Sequence, residues 1–148
     1  MYKTTDFRGE AHDPLRISSM SKDDILFVLK TNFPSLLKQR NIPSYLSEEQ
    51  VRSGGVFGTT LPMILVKHPG PPTRFFHIGI VVNNDIISFQ LLGESAQNTK
   101  ANKLDSLRQQ GKLMRSWFVK PDEFILQQEI AWKSDVISTV KYLFQEDL

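Results

Sequence analysis

The side chains that could do chemistry in this chain are few. It contains no cysteine, which removes thiolate nucleophiles, zinc–thiolate sites, disulfides and dithiol redox chemistry together. Proton transfer near neutral pH falls to three histidines, His12, His68 and His77. None stands at the helical or finger spacing that brings two imidazoles onto one metal. His68 and His77 flank a proline-rich loop. If His68 pairs with Arg74 across it, His77 pairs with Leu65 and the rings face opposite ways. The other parity puts both rings on one face, but about 7 Å or more apart along the strand. No metal and no cofactor is therefore expected. His77, close to Gln90 in the simplest hairpin register, is the histidine best placed to act as a general base. A lone strand histidine is more commonly a packed, hydrogen-bonded residue, so no catalytic residue is assigned. An enzyme using His77 is the third-ranked function.

Other patterns invite chemistry and fall short of it. The run from Gly54 to Thr60 is glycine-rich, but it lacks the lysine of a phosphate loop and leads into a strand instead of a helix. Pro69-Gly70-Pro71-Pro72-Thr73-Arg74 has the PxxP spacing of polyproline ligands, yet it joins two expected strands and reads better as a rigid loop. No Gly-x-Ser-x-Gly elbow or Ser-x-x-Lys motif occurs. The acidic pairs Asp23-Asp24, Glu48-Glu49 and Asp122-Glu123 fit helix starts or exposed loops.

Charge is more informative in its distribution than in its sum. The formal net charge is +2, but residues 95–120 carry six cations against Asp105 alone, and residues 121–148 are acidic by four charges. Lys100, Lys103, Arg108, Lys112 and Arg115 lie in the basic stretch with Trp117 and Phe118. Cations that track phosphates beside aromatics that stack bases make nucleic-acid binding the second-ranked function.

The elements that position these residues begin with a polar arm, residues 1–20, expected to be loose and broken by Gly9 and Pro14. Residues 21–148 are expected to form one domain. Ser21 caps a helix whose stripe is Ile25, Leu29, Phe33 and Leu36, with Pro34 expected to end it or to start a second turn. Ser47-Glu48-Glu49-Gln50 has the form of a capped helical turn. Leu61 to Val66 is apolar on both alternations, as in a strand covered on both faces. Phe76, Ile78, Ile80 and Val82, then Ile87, Phe89 and Leu91, alternate on either side of Asn83-Asn84-Asp85 and predict an antiparallel hairpin. Only an even-length loop, Asn83-Asn84 or Asn84-Asp85, keeps all these residues on one face. Asparagine tolerates the positive φ of a type I′ turn. The other hairpin face carries Phe75, His77, Ser88 and Gln90, a mixed set open to a partner. A short helix over 103–110 stopped by Gly111, a strand over 113–119, a strand over 124–132 and a helix from Ser134 complete the pass.

These elements predict an α+β fold, a mostly antiparallel sheet of four or five strands with flanking N-terminal and C-terminal helices. No apolar run approaches the about 20 residues a membrane helix needs, and the first residues lack a secretion signal, so a cytoplasmic protein is expected. The leading function is a small non-catalytic interaction protein of inhibitor, immunity-type or adaptor character. It would bind a protein partner through Phe75, His77, Ser88 and Gln90.

Overall fold

A computed structural model describes residues 1–54, 58–70, 74–112 and 119–145 of the chain. Ser21 opens the first helix, α1 (Lys22–Gln39), as expected: its hydroxyl accepts the Asp24 amide, and Asp23 and Asp24 occupy the first turn. Pro34 does not end it. Stopping before the proline would expose Phe33 and Leu37, which are fully buried and contribute about 2 kcal/mol each. That outweighs the roughly 3 kcal/mol cost of a proline in a helix interior. The helix closes where Asn41 turns left-handed (φ 57°) and the Ile42 amide reaches back to the Leu37 carbonyl at 2.9 Å.

The short β1 (Tyr2–Lys3) and the longer β2 (Gly9–Arg16) precede α1. After it, Tyr45–Arg52 forms β3, not the capped helical turn expected for Ser47–Gln50. All eight of its residues pair antiparallel with β4 (Thr60–Lys67), from Tyr45↔Lys67 to Arg52↔Thr60. So long a ladder overrides a local capping signal. β4 is covered on both faces, as its composition predicts: Ile64 and Val66 enter one core, Met63 and Leu65 the other. Pro62 sits near its start, where β5 does not reach.

β5 (His77–Asn83) and β6 (Ile86–Leu92) form the expected hairpin around a two-residue turn. The turn is Asn84-Asp85, so Val82, Ile80 and Ile78 face Ile87, Phe89 and Leu91. The alternative register needs Phe76 in the ladder, but the Phe76 amide is already bonded to Glu129. Only Asn84 has positive φ (55°), so the turn is not the type I′ form, which needs two such residues.

The sheet order is β1-β3-β4-β5-β6-β2. It has six strands, not four or five, and is antiparallel except where β1 runs parallel to β3. The fold is α+β. Residues 1–20, expected to be a loose arm, supply strands at both edges: β2 pairs with β6, with register shifts between Glu10 and Leu15.

The C-terminal half departs most from expectation. α2 (Ala96–Gln109) starts seven residues before Lys103, capped by Ser95. It ends as predicted at Gly111 (φ 72°), where the Lys112 amide bonds the Leu107 carbonyl. The strand expected over 113–119 lies outside the described residues except for Val119, which is not in a strand. The strand expected over 124–132 is absent: Glu123–Leu143 is one helix, α3, capped by the Asp122 carboxylate on the Ile125 amide. α1 and α3 cover one sheet face around Phe33, Ile80, Phe89, Trp132 and Val136. A smaller core on the other face joins Val51, Met63, Leu65, Val81 and Leu92 to Tyr2 and Phe7. Among the described residues no helix is long and apolar enough to cross a membrane.

Candidate functional site

The structure divides the four residues proposed for partner binding. His77, Ser88 and Gln90 lie half-buried on the hairpin face away from the helices. Phe75 precedes β5, so strand alternation does not govern it. It turns to the helical side, 5 % exposed, with its ring 4.5 Å from His68 and 6.0 Å from Trp132. The centre of the outer face is packed tightly. A Cβ built on Gly79 would stand 2.6 Å from both the Met63 sulfur and Leu92 Cδ1. Of the basic set, Lys100, Lys103 and Arg108 are exposed on α2 and Lys112 follows its stop; Arg115 lies outside the described residues.

One charged residue is deeply buried. Glu129, on α3, is 1 % exposed. One carboxylate oxygen accepts the Phe76 amide at 2.7 Å and the other accepts the Ser95 hydroxyl. Ser95 in turn caps α2, whose N-terminal dipole favours the negative charge. Because His77 pairs with Leu92, Phe76 and Ser95 flank the open end of the hairpin, and Glu129 fastens α3 across both. Ser95 is itself fully buried, so this arrangement holds structure and offers no accessible nucleophile.

Among the described residues, two of the concave regions outside this fastening are lined by side chains of both charge signs. The first, about 530 Å³, is lined by Arg40, His68, Arg74, Phe75, Trp132 and Asp135 among others. The Trp132 indole donates to the Pro43 carbonyl at 2.7 Å and so anchors the turn after α1. His68 Nδ1 accepts the Gly70 amide at 3.0 Å, which puts the proton of the neutral ring on Nε2. Burial first, and the neighbouring Arg74 second, hold the His68 pKa below its ordinary value. Arg40 donates to Thr139 Oγ1 at 3.1 Å and lies 4.8 Å from the centre of the Tyr142 ring.

The second region follows a sheet edge. β1 pairs with β3 only at Val51 and Arg52, so no described strand pairs with the outer edge of Tyr45–Gln50. A groove of about 490 Å³ runs beside it, lined by Met1, Leu26, Lys30, Glu48, Glu49 and Gln50 among others. Lys30 meets Glu48 at 3.7 Å. Tyr45, 66 % exposed, stands at the head of the edge. The opposite sheet edge, β2, is blunted by Pro14 and by its register shifts. Sequence reasoning missed this edge because it read Ser47–Gln50 as helical. Ser47–Gln50 is polar throughout, so no period-two alternation of apolar and polar residues marked it as a strand.

No protein-family model, curated protein or solved structure matches the chain.

Proposed function

We propose that this chain is a small non-catalytic interaction protein that takes an extended segment of a protein partner as an added strand along β3. The observation that carries this reading is the asymmetry of the two sheet edges. β2 is irregular and interrupted by proline, while Tyr45–Gln50 keeps a regular strand with one side paired to no described strand and a groove beside it. An unpaired edge offers main-chain donors and acceptors in register, and side chains at alternating positions select the partner. Glu48 lies on the α1 side, against Lys30, and Glu49 on the other; burial first, and the Glu49 charge second, hold the Tyr2 hydroxyl pKa above its ordinary value. These carboxylates favour a strand carrying lysine or arginine at the facing positions.

Affinity capture with the whole chain, followed by a binding measurement on the purified pair, tests this. The Glu48→Lys, Glu49→Lys double variant is expected to lose a stoichiometric protein partner while keeping the wild-type circular dichroism spectrum. A Ser88→Arg, Gln90→Arg variant on the hairpin's outer face is expected to retain it. The opposite pattern would move the interface to the His77, Ser88 and Gln90 surface. A chain that stays monomeric and recovers no partner sinks the interaction reading.

A further inference from the structure

The cleft at His68 lies apart from the β3 edge and has a different chemistry. Its floor is apolar: Phe75 and Trp132 are each 5 % exposed. Its rim carries two guanidinium groups, Arg40 and Arg74, and neither has an ion-pair partner among the described residues. Arg40 is already oriented by Thr139 and by the Tyr142 ring, so less side-chain freedom is lost when it binds. Asn41, Gln128 and Asp135 line the same space and supply donors and acceptors for hydroxyl groups. Sites of this size, an apolar floor with a few convergent polar groups, commonly take small molecules.

We propose that this cleft binds a small organic phosphate, with Arg40 and Arg74 on the phosphate oxygens and its hydroxyl-bearing portion over Phe75 and Trp132. Phosphate fits better than carboxylate because its near-dianionic charge and three free oxygens match two guanidinium groups, whereas a carboxylate offers one charge and two oxygens. His68 adds a neutral donor, since its Nδ1 is occupied by the Gly70 amide and its proton lies on Nε2. Asp135 is the one carboxylate among the described lining residues. It disfavours a bare anion and favours a ligand whose hydroxyls it can accept, and so separates a sugar phosphate from inorganic phosphate.

Trp132 reports on the site. In a Trp117→Phe background it is the sole tryptophan, and its fluorescence is titrated with ribose 5-phosphate, inorganic phosphate and ribose. Saturable binding of ribose 5-phosphate is expected, with inorganic phosphate and ribose each weaker. Arg74→Ala is expected to weaken it about tenfold or more, the size of a lost charge-assisted hydrogen bond. Asp135→Asn is expected to narrow the preference for the sugar phosphate over inorganic phosphate. Arg74 is exposed, so its variant retains the fold, and a wild-type circular dichroism spectrum verifies this. No saturable change with any ligand, equal affinity in Arg74→Ala, or ribose binding as tightly as ribose 5-phosphate would each overturn the proposal. Inorganic phosphate binding as tightly as ribose 5-phosphate would overturn the organic part. Loss of partner capture in the β3-edge variant leaves this titration unchanged, so the two readings fail separately.

Discussion

Replacing Glu129 by alanine leaves the Phe76 amide and the Ser95 hydroxyl buried without their acceptor. The expected loss is about 2–4 kcal/mol, read as a lower urea midpoint. Glu129→Gln keeps one acceptor oxygen and should lose less. If both variants unfold like the wild type, the carboxylate is not the fastening described. His68 gives a second expectation at this scale. Its folded pKa is lowered by burial and by Arg74, so the unfolded chain takes up the proton first as pH falls. Stability from this group is fully present above the unfolded value, about 6.5, and is lost as pH drops from there through the folded value. The melting temperature should fall across that window more steeply in the wild type than in His68→Phe. Glu129 was not legible beforehand because nothing local marks a glutamate as buried; its two donors come from residues 53 and 34 positions away.

The elements show where local pattern and tertiary packing disagree. Pro34 sits inside α1 because the side chains around it are buried. Pro34→Ala should therefore raise stability by about 1–2 kcal/mol, the recovered helix propensity less the added freedom of the unfolded chain. A rise in the denaturation midpoint with unchanged slope is the expected measurement; a fall would show that the proline ring is needed for packing. In α3 the apolar residues misled. Phe124, Leu126, Ile130 and Trp132 fit a strand period, yet Phe124 is 73 % and Ile130 47 % exposed, while Glu129 between them is buried. The true stripe is Ile125, Glu129, Trp132, Val136 and Val140, and a glutamate within it breaks the hydrophobic period that would have revealed a helix. The hairpin was legible because side-chain alternation allows only an even turn.

At the scale of the whole molecule, the first residues join the two sides of the sheet. Tyr2 and Phe7 pack on the core of Val51, Met63, Leu65, Val81 and Leu92, and β2 closes the far edge on β6. Phe7→Ala should cost about 2 kcal/mol, less than a fully buried phenylalanine because Phe7 is half-buried. An unchanged thermal midpoint would show that the outer core does not need this cover. The same arrangement bears on the proposed partner binding: the chain's own N-terminal residues partly occupy the outer hairpin face, and among the described residues the regular strand with an open edge is β3.

By itself the sequence determined the α+β class, the two-faced β4, the even hairpin turn, the Ser21 cap and the Gly111 stop. Each depends on side-chain period or on backbone freedom within a few residues. Only the tertiary structure decided which of the two even registers the hairpin adopts, because a glutamate far along the chain takes the Phe76 amide. Tertiary packing also carried α1 through Pro34, made a strand of Ser47–Gln50 and drew residues 2–16 onto both sheet edges. The same is true of the candidate sites. Arg40, His68, Arg74 and Trp132 come from three separate stretches of chain, and an unpaired edge exists only once every other strand has found its neighbour.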